Sequence, residues 1–185
     1  MLIPAQLKRD ELKTLLTERW YDPEYQYFWS GTSRTEWKVD DSCNWSYQFC
    51  SVDASDNVLG YISYGYDSVS KAAYNFGLIA FSKNKSIFLD DVIIAVYEIF
   101  YKFHLEHMDF YCFSDNPAAK GYRAFIKRYG GREVGVLRKA SALLDGLIHD
   151  NIIFECLKSD LKMKNGKTVL QMDYEKIMKK RGLLK

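Results

Sequence analysis

The residue types best suited to chemistry lie in one stretch of the chain, between Met108 and Gly135. An aromatic run, Phe110 to Phe113, favours a strand. Asn116 and Pro117 then predict the start of a helix, because asparagine caps helices and proline suits their first turn. A Gly-Gly pair at 130–131 can end that helix before another strand.

The predicted helix carries Tyr122 about one and a half turns from its start. This places the residue near the carboxyl end of a strand, where ligands gather in α/β sheets. A phenol with a pKa of about 10 stays protonated until negative charge develops beside it, so it can serve as a general acid. The alternative is a core tyrosine, since the chain contains 14 tyrosines.

Composition indicates a single domain with a sizeable core, because the 185 residues are 48% hydrophobic. A net charge of +2 is too small to indicate nucleic acid or a membrane as partner. No signal-peptide pattern and no membrane-length apolar run is visible, so we predict a cytoplasmic protein. The four cysteines have no CxxC spacing, and Cys112 and Cys156 lie in apolar runs that predict burial.

Seven basic residues cluster late in the chain, opposed only by Glu133: Lys120, Arg123, Lys127, Arg128, Arg132, Arg138 and Lys139. A solvated helix face explains such a cluster, and a site for a phosphorylated ligand is the alternative. Nucleic-acid binding would also use it and would show a steep salt dependence. His104 and His107 have helical spacing but no third ligand, so no metal site is predicted.

Hydrophobic periodicity predicts the elements. They are a helix at 10–20, strands at 45–52, 58–64 and 72–81, a helix from 87 to about 107, a strand at 110–113, the helix after Asn116, and strands at 133–137 and 151–157. A strand–helix–strand unit inside an antiparallel meander implies an α/β (α+β) fold, with a mixed, mostly antiparallel sheet and helices on both faces. We predict a domain at 1–160 and a Lys-rich extension at 161–185 with a helix from Tyr174 to about Arg181.

The order of these elements and the Asn116-Pro-Ala-Ala-Lys-Gly-Tyr122 helix start resemble the GCN5-related N-acetyltransferases. The likeness is greatest to divergent bacterial and phage-encoded members and covers roughly 10–157. The stretches that carry it, by order and spacing together, are 58–64, 75–81, 125–132 and 145–150.

The resemblance implies that acetyl-CoA lies where two parallel strands splay apart, between the strand ending near Phe81 and the strand at 110–113. It implies these coenzyme-binding residues: Ile79, Ala80 and Phe81 for pantetheine, Lys83, Asn84, Lys85 and Ser86 around the pyrophosphate, and Asn116 for pantetheine or as a helix cap. Ser86 and Phe88 stand where the family's loop usually has small glycine-type residues. Asp90 and Asp91 follow in the first turns and would complement the helix dipole.

The activity that the resemblance implies is transfer of acetyl from acetyl-CoA to a primary amine by direct attack, with Tyr122 protonating the thiolate. A backbone N–H within 78–81 would stabilise the oxyanion. No carboxylate lies within 75–81, so a general base is not identified; Asp67 or a water relay could serve. A catalytically silent binding domain with the same fold is the alternative.

The implied acceptor is a small-molecule or peptide amine, with no metal and no nucleic acid or membrane partner. A homodimer is left open. In the family the N-terminal third shapes the acceptor pocket, and simple packing over the sheet is the alternative. Here that region is rich in aromatic residues: Tyr21, Tyr25, Tyr27, Trp29, Trp37 and Trp45.

Overall fold

A computed structural model describes residues 1–28, 39–41 and 45–184. Within these residues one sheet has seven strands: β1 (Leu2–Pro4), β2 (Ser46–Val52), β3 (Val58–Asp67), β4 (Ala72–Ala80), β5 (His107–Phe113), β6 (Arg132–Ala142) and β7 (Ile148–Leu157). Their order is β1-β2-β3-β4-β5-β7-β6. Only the β4–β5 pair is parallel, as the strand–helix–strand pattern predicted.

Helices cover both faces of the sheet, which confirms the predicted mixed architecture. The helices are α1 (Arg9–Glu18), α2 (Ser86–Tyr97), α3 (Ala119–Tyr129) and α4 (Val169–Lys180). One core holds Leu12 and Leu16 of α1 against Tyr61 and Ile79 of the sheet. The larger core lies on the other face and joins α2, α3 and α4 to β5 and β7 around buried aromatic side chains, including Phe100, Phe110 and Phe154.

The long helix ends earlier than the sequence predicted. α2 continues as a π-helical segment from Glu98 to Lys102, and His104 then adopts a left-handed conformation with φ of 55°. His107 already belongs to β5, where it pairs with Leu157. The two histidines therefore do not share a helical face. The described residues contain no cluster of metal-ligating side chains.

The last two strands of the sheet are longer than predicted and form a hairpin. β6 runs to Ala142 and β7 begins at Ile148, so the predicted long connection is a short turn. Gly146 in that turn has φ of 79°, a conformation that suits glycine. β7 thereby brings its polar first residues beside the end of β5.

The Lys-rich segment after residue 160 packs on the domain. A hairpin of β8 (Met163–Lys164) and β9 (Lys167–Thr168) leads into α4, which begins five residues before the predicted Tyr174. The rings of Tyr97 and Tyr174 stack with centroids 3.6 Å apart, and Leu170 is fully buried in the larger core. The boundary at residue 160 stays a prediction.

Cys112 and Cys156 are buried free thiols, as predicted, and burial raises the pKa of Cys112 to about 11 and that of Cys156 to about 12. Cys43 lies outside the described residues. Among the helices of the described chain, none has the length and apolar character needed to cross a bilayer.

Candidate active site

A gap opens between β4 and β5 toward their carboxyl ends. The two strands pair only at their first residues, Ala72 with His107 and Ala73 with Met108. β4 then bulges at Asn75, which has φ of 54°, and the carboxylate of Asp109 accepts the Asn75 N–H at 3.0 Å. Because a bulge bends its strand, the paired ladder stops there and both strands leave their facing edges open.

The open edge of β4 offers backbone groups to the gap at alternate residues. The Phe81 N–H donates to the Leu59 carbonyl at 2.9 Å, so it points toward β3. In an antiparallel pair, the residues whose backbone groups bond to the partner strand alternate along the chain. The N–H and C=O groups of Ile79 therefore also point toward β3, whereas those of Leu78 and Ala80 point toward the gap. Of the three predicted backbone positions, Ala80 is the one that faces the gap.

A short segment from the N-terminal region spans the mouth of the gap. The Tyr25 hydroxyl donates to the Ala80 carbonyl at 3.4 Å, and its ring stacks on Phe81 with centroids 6.4 Å apart. Two residues later, the Tyr27 hydroxyl donates to the Asp115 carbonyl at 3.4 Å, beyond the end of β5. This segment thus bridges the ends of both strands. Trp29 and Trp37 lie outside the described residues.

The loop between β4 and α2 presents its four predicted ligands near the same end of the gap. Lys83, Asn84, Lys85 and Ser86 are exposed. The Asn84 side-chain oxygen accepts the Ser86 N–H at 3.2 Å. The next two amides, at 87 and 88, have no acceptor among the residues that the structure describes. Free amides at a helix start, beside two lysines, can receive a phosphate group.

Phe88 does not obstruct this helix start. Its ring is 3% exposed and points into the core. There it fills the space over Gly60, where an added Cβ would clash with the ring and lie 2.8 Å from the Ile79 carbonyl oxygen. The missing glycine is therefore compensated by Gly60 on β3, which leaves room for the Phe88 ring.

The two aspartates in the first turns of α2 are neutralised by the C-terminal helix. Asp91 is fully buried and accepts from the Arg181 guanidinium at 2.6 Å and from the Ser51 hydroxyl at 2.6 Å. Asp90 pairs with Lys180 at 3.0 Å. These pairs cancel charge that would oppose an anion at the helix start. The sequence predicted that Asp90 and Asp91 complement the helix dipole, but it did not predict their ion pairs with Lys180 and Arg181.

Tyr122 lies under β5 on the face covered by α2 and α3. Its ring contacts Phe110 at 5.3 Å and Phe154 at 5.9 Å between centroids. Its hydroxyl has no hydrogen-bond partner in the described part of the chain. Burial, with a smaller effect of the nearby Cys112 thiol, raises the pKa of Tyr122 well above its usual range. The phenol is therefore protonated at neutral pH.

Asn116 forms the turn that precedes α3. Its side-chain oxygen accepts the Ala118 N–H at 2.8 Å and its carbonyl accepts the Ala119 N–H at 2.9 Å. This is the helix-start role that the sequence offered as one of two alternatives. The side-chain NH₂ donates to no described residue. It remains free for the predicted contact with pantetheine.

A histidine cluster that the sequence did not predict lies beyond the end of β5. His149 at the start of β7 sits between two carboxylates, with its Nδ1 2.8 Å from Asp115 and its Nε2 3.0 Å from Asp145. The available signal was the Asp145-Gly146 turn, which folds Asp145 back onto His149 four residues later. Asp67, considered as a base, is instead the last residue of β3 and pairs with Ala72, at the opposite end of β4 from the gap.

Three of the seven clustered basic residues are engaged in ion pairs: Arg123 with Glu133, Arg128 with Asp173, and Arg132 with Glu155. Part of the positive charge that suggested a phosphate or nucleic-acid surface is thus neutralised within the fold.

Comparison with solved structures identifies this architecture. Spermidine N-acetyltransferase from Vibrio cholerae, in complex with CoA and spermine, superimposes with a TM-score of 0.67 at 18% identity, over 86% of this chain and 96% of that one. The chain has the fold of the GCN5-related N-acetyltransferases. The resemblance stated from the sequence is confirmed at that level.

Further solved structures give the same acetyltransferase fold. A point mutant of the Vibrio cholerae enzyme matches with a TM-score of 0.55 at 19% identity, over 81% of this chain and 75% of that one. The same enzyme with manganese ions matches with the same values. No family sequence model and no curated protein sequence matches the chain. At this identity the likeness shows the fold alone.

Proposed function

We propose that the protein is an N-acetyltransferase that moves an acetyl group from acetyl-CoA to a primary amine by direct attack. The observation that carries this proposal is the gap between β4 and β5. Its open β4 edge leads directly to the helix start of α2, where free amides and two lysines lie together. An extended pantetheine arm and a pyrophosphate need these two features in this order.

The coenzyme would use three sets of groups. The backbone of Leu78 and Ala80 can pair with the amides of the pantetheine arm as an added strand would. The amides at 87 and 88, with Lys83 and Lys85, suit the pyrophosphate. The spermidine N-acetyltransferase from Vibrio cholerae, which has a similar fold, binds CoA and spermine in its crystal structure, and this supports the proposal.

In the proposed reaction the neutral amine nitrogen attacks the thioester carbonyl carbon. The C–N bond forms, the C–S bond breaks, and the CoA thiolate takes a proton from Tyr122, which is later reprotonated from solvent. The Leu78 or Ala80 N–H would stabilise the oxyanion. The acceptor ammonium loses one proton before the attack and a second proton when the amide forms. Because the CoA thiolate takes up one proton through Tyr122, one proton is released to solvent for each acetyl group transferred.

The two substrates would enter from opposite faces of the sheet. The helix start of α2 and Tyr122 lie on the face with the larger core. The segment at 23–28 lies with α1 on the other face, where Tyr25 and Phe28 pack on the smaller core. The acceptor would therefore approach beneath this aromatic segment, as predicted for the acceptor pocket. Cytoplasmic localisation and a homodimer stay predictions.

The test has a binding arm and a transfer arm. Acetyl-CoA at a hundred times its dissociation constant should stabilise the fold by about 2.7 kcal/mol, which raises the melting temperature by roughly 5–10 °C for a chain of this size. Release of CoA thiol should then depend on an added amine, drawn from a panel that includes spermine and spermidine. An unchanged melting temperature would contradict the proposal. Stabilisation without transfer to any amine would favour the silent binding domain.

A further inference from the structure

The arrangement around His149 favours its protonated form. Nδ1 lies 2.8 Å from Asp115 and Nε2 lies 3.0 Å from Asp145, and the protonated ring carries an N–H on each nitrogen to face these carboxylates. The hydrogen bond with Asp145 is the largest cause that raises the pKa of His149; burial opposes it, and the charge of Asp115 raises the pKa further. One imidazolium between two carboxylates leaves the cluster with a net negative charge.

Asp115 is the member of the cluster that is open to a ligand. Its side chain is 46% exposed, and its Oδ2 is held by His149 at 2.8 Å and by the Tyr27 hydroxyl at 3.5 Å. Its Oδ1 receives no hydrogen bond from any described residue. The carboxylate is thus fixed from two sides, below the segment that spans the gap, with one oxygen available.

A second, independent observation comes from Asn151. Its side chain is only 9% exposed, and its Oδ1 has no hydrogen-bond partner among the described residues. Residues two apart on a strand share a face, so this side chain lies beside His149, and it pairs across the ladder with Phe113. A buried acceptor without a donor is costly, which indicates that a ligand with donor groups completes it.

Two oxygens at this place, Oδ1 of Asp115 and Oδ1 of Asn151, accept no hydrogen bond from the described residues, and the net charge of the cluster is negative. An ammonium, with three donors and one positive charge, complements both. The cluster is not adjacent to Tyr122, the proposed general acid. Tyr122 packs on the other face of β5, near Cys112. Asp115 comes three residues after Cys112, which corresponds to a distance of up to about 10 Å along an extended chain. An ammonium here is therefore displaced from the reacting centre.

We propose that Asp115 anchors the second ammonium group of a diamine or polyamine acceptor, with His149 as the positioning residue for its carboxylate. This inference rests on the proposed function and adds the substrate class. An alkyl chain of several carbons would extend from the anchor toward the gap and place the other amine at the thioester. A monoamine of equal length would lack the anchor.

The experiment compares putrescine with n-butylamine, which has the same four-carbon chain and one amine. In the wild type, kcat/KM for putrescine should exceed that for n-butylamine by about tenfold or more, because a hydrogen bond to a charged group is lost with the monoamine. Asp115→Asn should remove this preference and leave the rate with n-butylamine unchanged. Asp67→Asn changes a half-buried carboxylate at the end of β3, beside the first residue of β4 and away from the cluster, and should retain the preference.

His149→Gln separates positioning from folding. It should raise KM for putrescine several-fold with little change in kcat, and it should not change either constant for n-butylamine. If no amine is acetylated, the proposed function fails, yet the anchor is still tested: putrescine alone should raise the melting temperature of the wild type and of Asp67→Asn, and not that of Asp115→Asn. Equal constants for the two amines, or a preference or thermal shift that survives Asp115→Asn, would overturn the inference.

Discussion

The ion pair between Asp91 and Arg181 joins α2 to the end of α4, and Arg181→Met tests it. The carboxylate of Asp91 is 0% exposed, and the Arg181 side chain is 18% exposed with its guanidinium 2.6 Å away. Methionine keeps most of the apolar stem and removes the charge. The substitution leaves a buried carboxylate with the Ser51 hydroxyl and the N-terminal ammonium, 3.2 Å away, as its remaining partners.

Breaking a buried ion pair costs about 3–5 kcal/mol, since one charge is left uncompensated. The remaining partners of Asp91 place the expected loss near the lower limit, about 3 kcal/mol. For a domain of this size that corresponds to a fall in melting temperature of roughly 6–12 °C. Urea unfolding followed by circular dichroism measures it as a lower midpoint with an unchanged m-value.

Lys180→Met is the matched control, because Lys180 is 65% exposed in its pair with Asp90. Exposed pairs contribute about 0–1 kcal/mol, so this change should have little effect. Asp91→Asn combined with Arg181→Met should recover much of the loss, because a neutral amide replaces the unpaired charge and keeps its bond to Ser51. A loss below about 1 kcal/mol for Arg181→Met, or equal losses for both single variants, would refute the reasoning.

Three further substitutions test the site. Gly60→Ala should destabilise the protein by about 1–3 kcal/mol, because the added methyl meets the Phe88 ring; an unchanged urea midpoint would contradict this packing. Lys85→Glu should weaken acetyl-CoA binding in calorimetry at least tenfold, whereas Lys164→Glu, in the β8–β9 hairpin, should not; equal losses would indicate diffuse charge. Tyr122→Phe should keep stability and coenzyme affinity and lower turnover by roughly a hundredfold; unchanged turnover would make this tyrosine a core residue.

The sequence predicted the architecture because the local signals agree with one another. The apolar stripe of the long helix required a sheet to pack on, and the short turns between the first strands required antiparallel pairing. The end of that helix was predicted too late because the aromatic side chains continue to Phe103 while the backbone turns at His104. The periodicity of the apolar side chains gives no information about that change in backbone conformation.

Contacts between distant residues account for what the sequence did not predict. Phe88 at a glycine position is explained only by Gly60 on a neighbouring strand. The neutralisation of Asp91 comes from Arg181, and the anchoring of Asp115 comes from His149. In each case the partner is separated by many residues and shows no local pattern, so only the tertiary fold brings the pair together.

The proposed function is tested most directly by incubating the protein with acetyl-CoA and putrescine and following both products. Free CoA thiol, titrated with a chromogenic disulfide, and monoacetylated putrescine, detected by mass spectrometry, should appear in equal amounts. Their rate of formation should fall roughly a hundredfold with Tyr122→Phe. Binding of acetyl-CoA without formation of any acetylated amine, from putrescine or from the wider panel, would contradict the account.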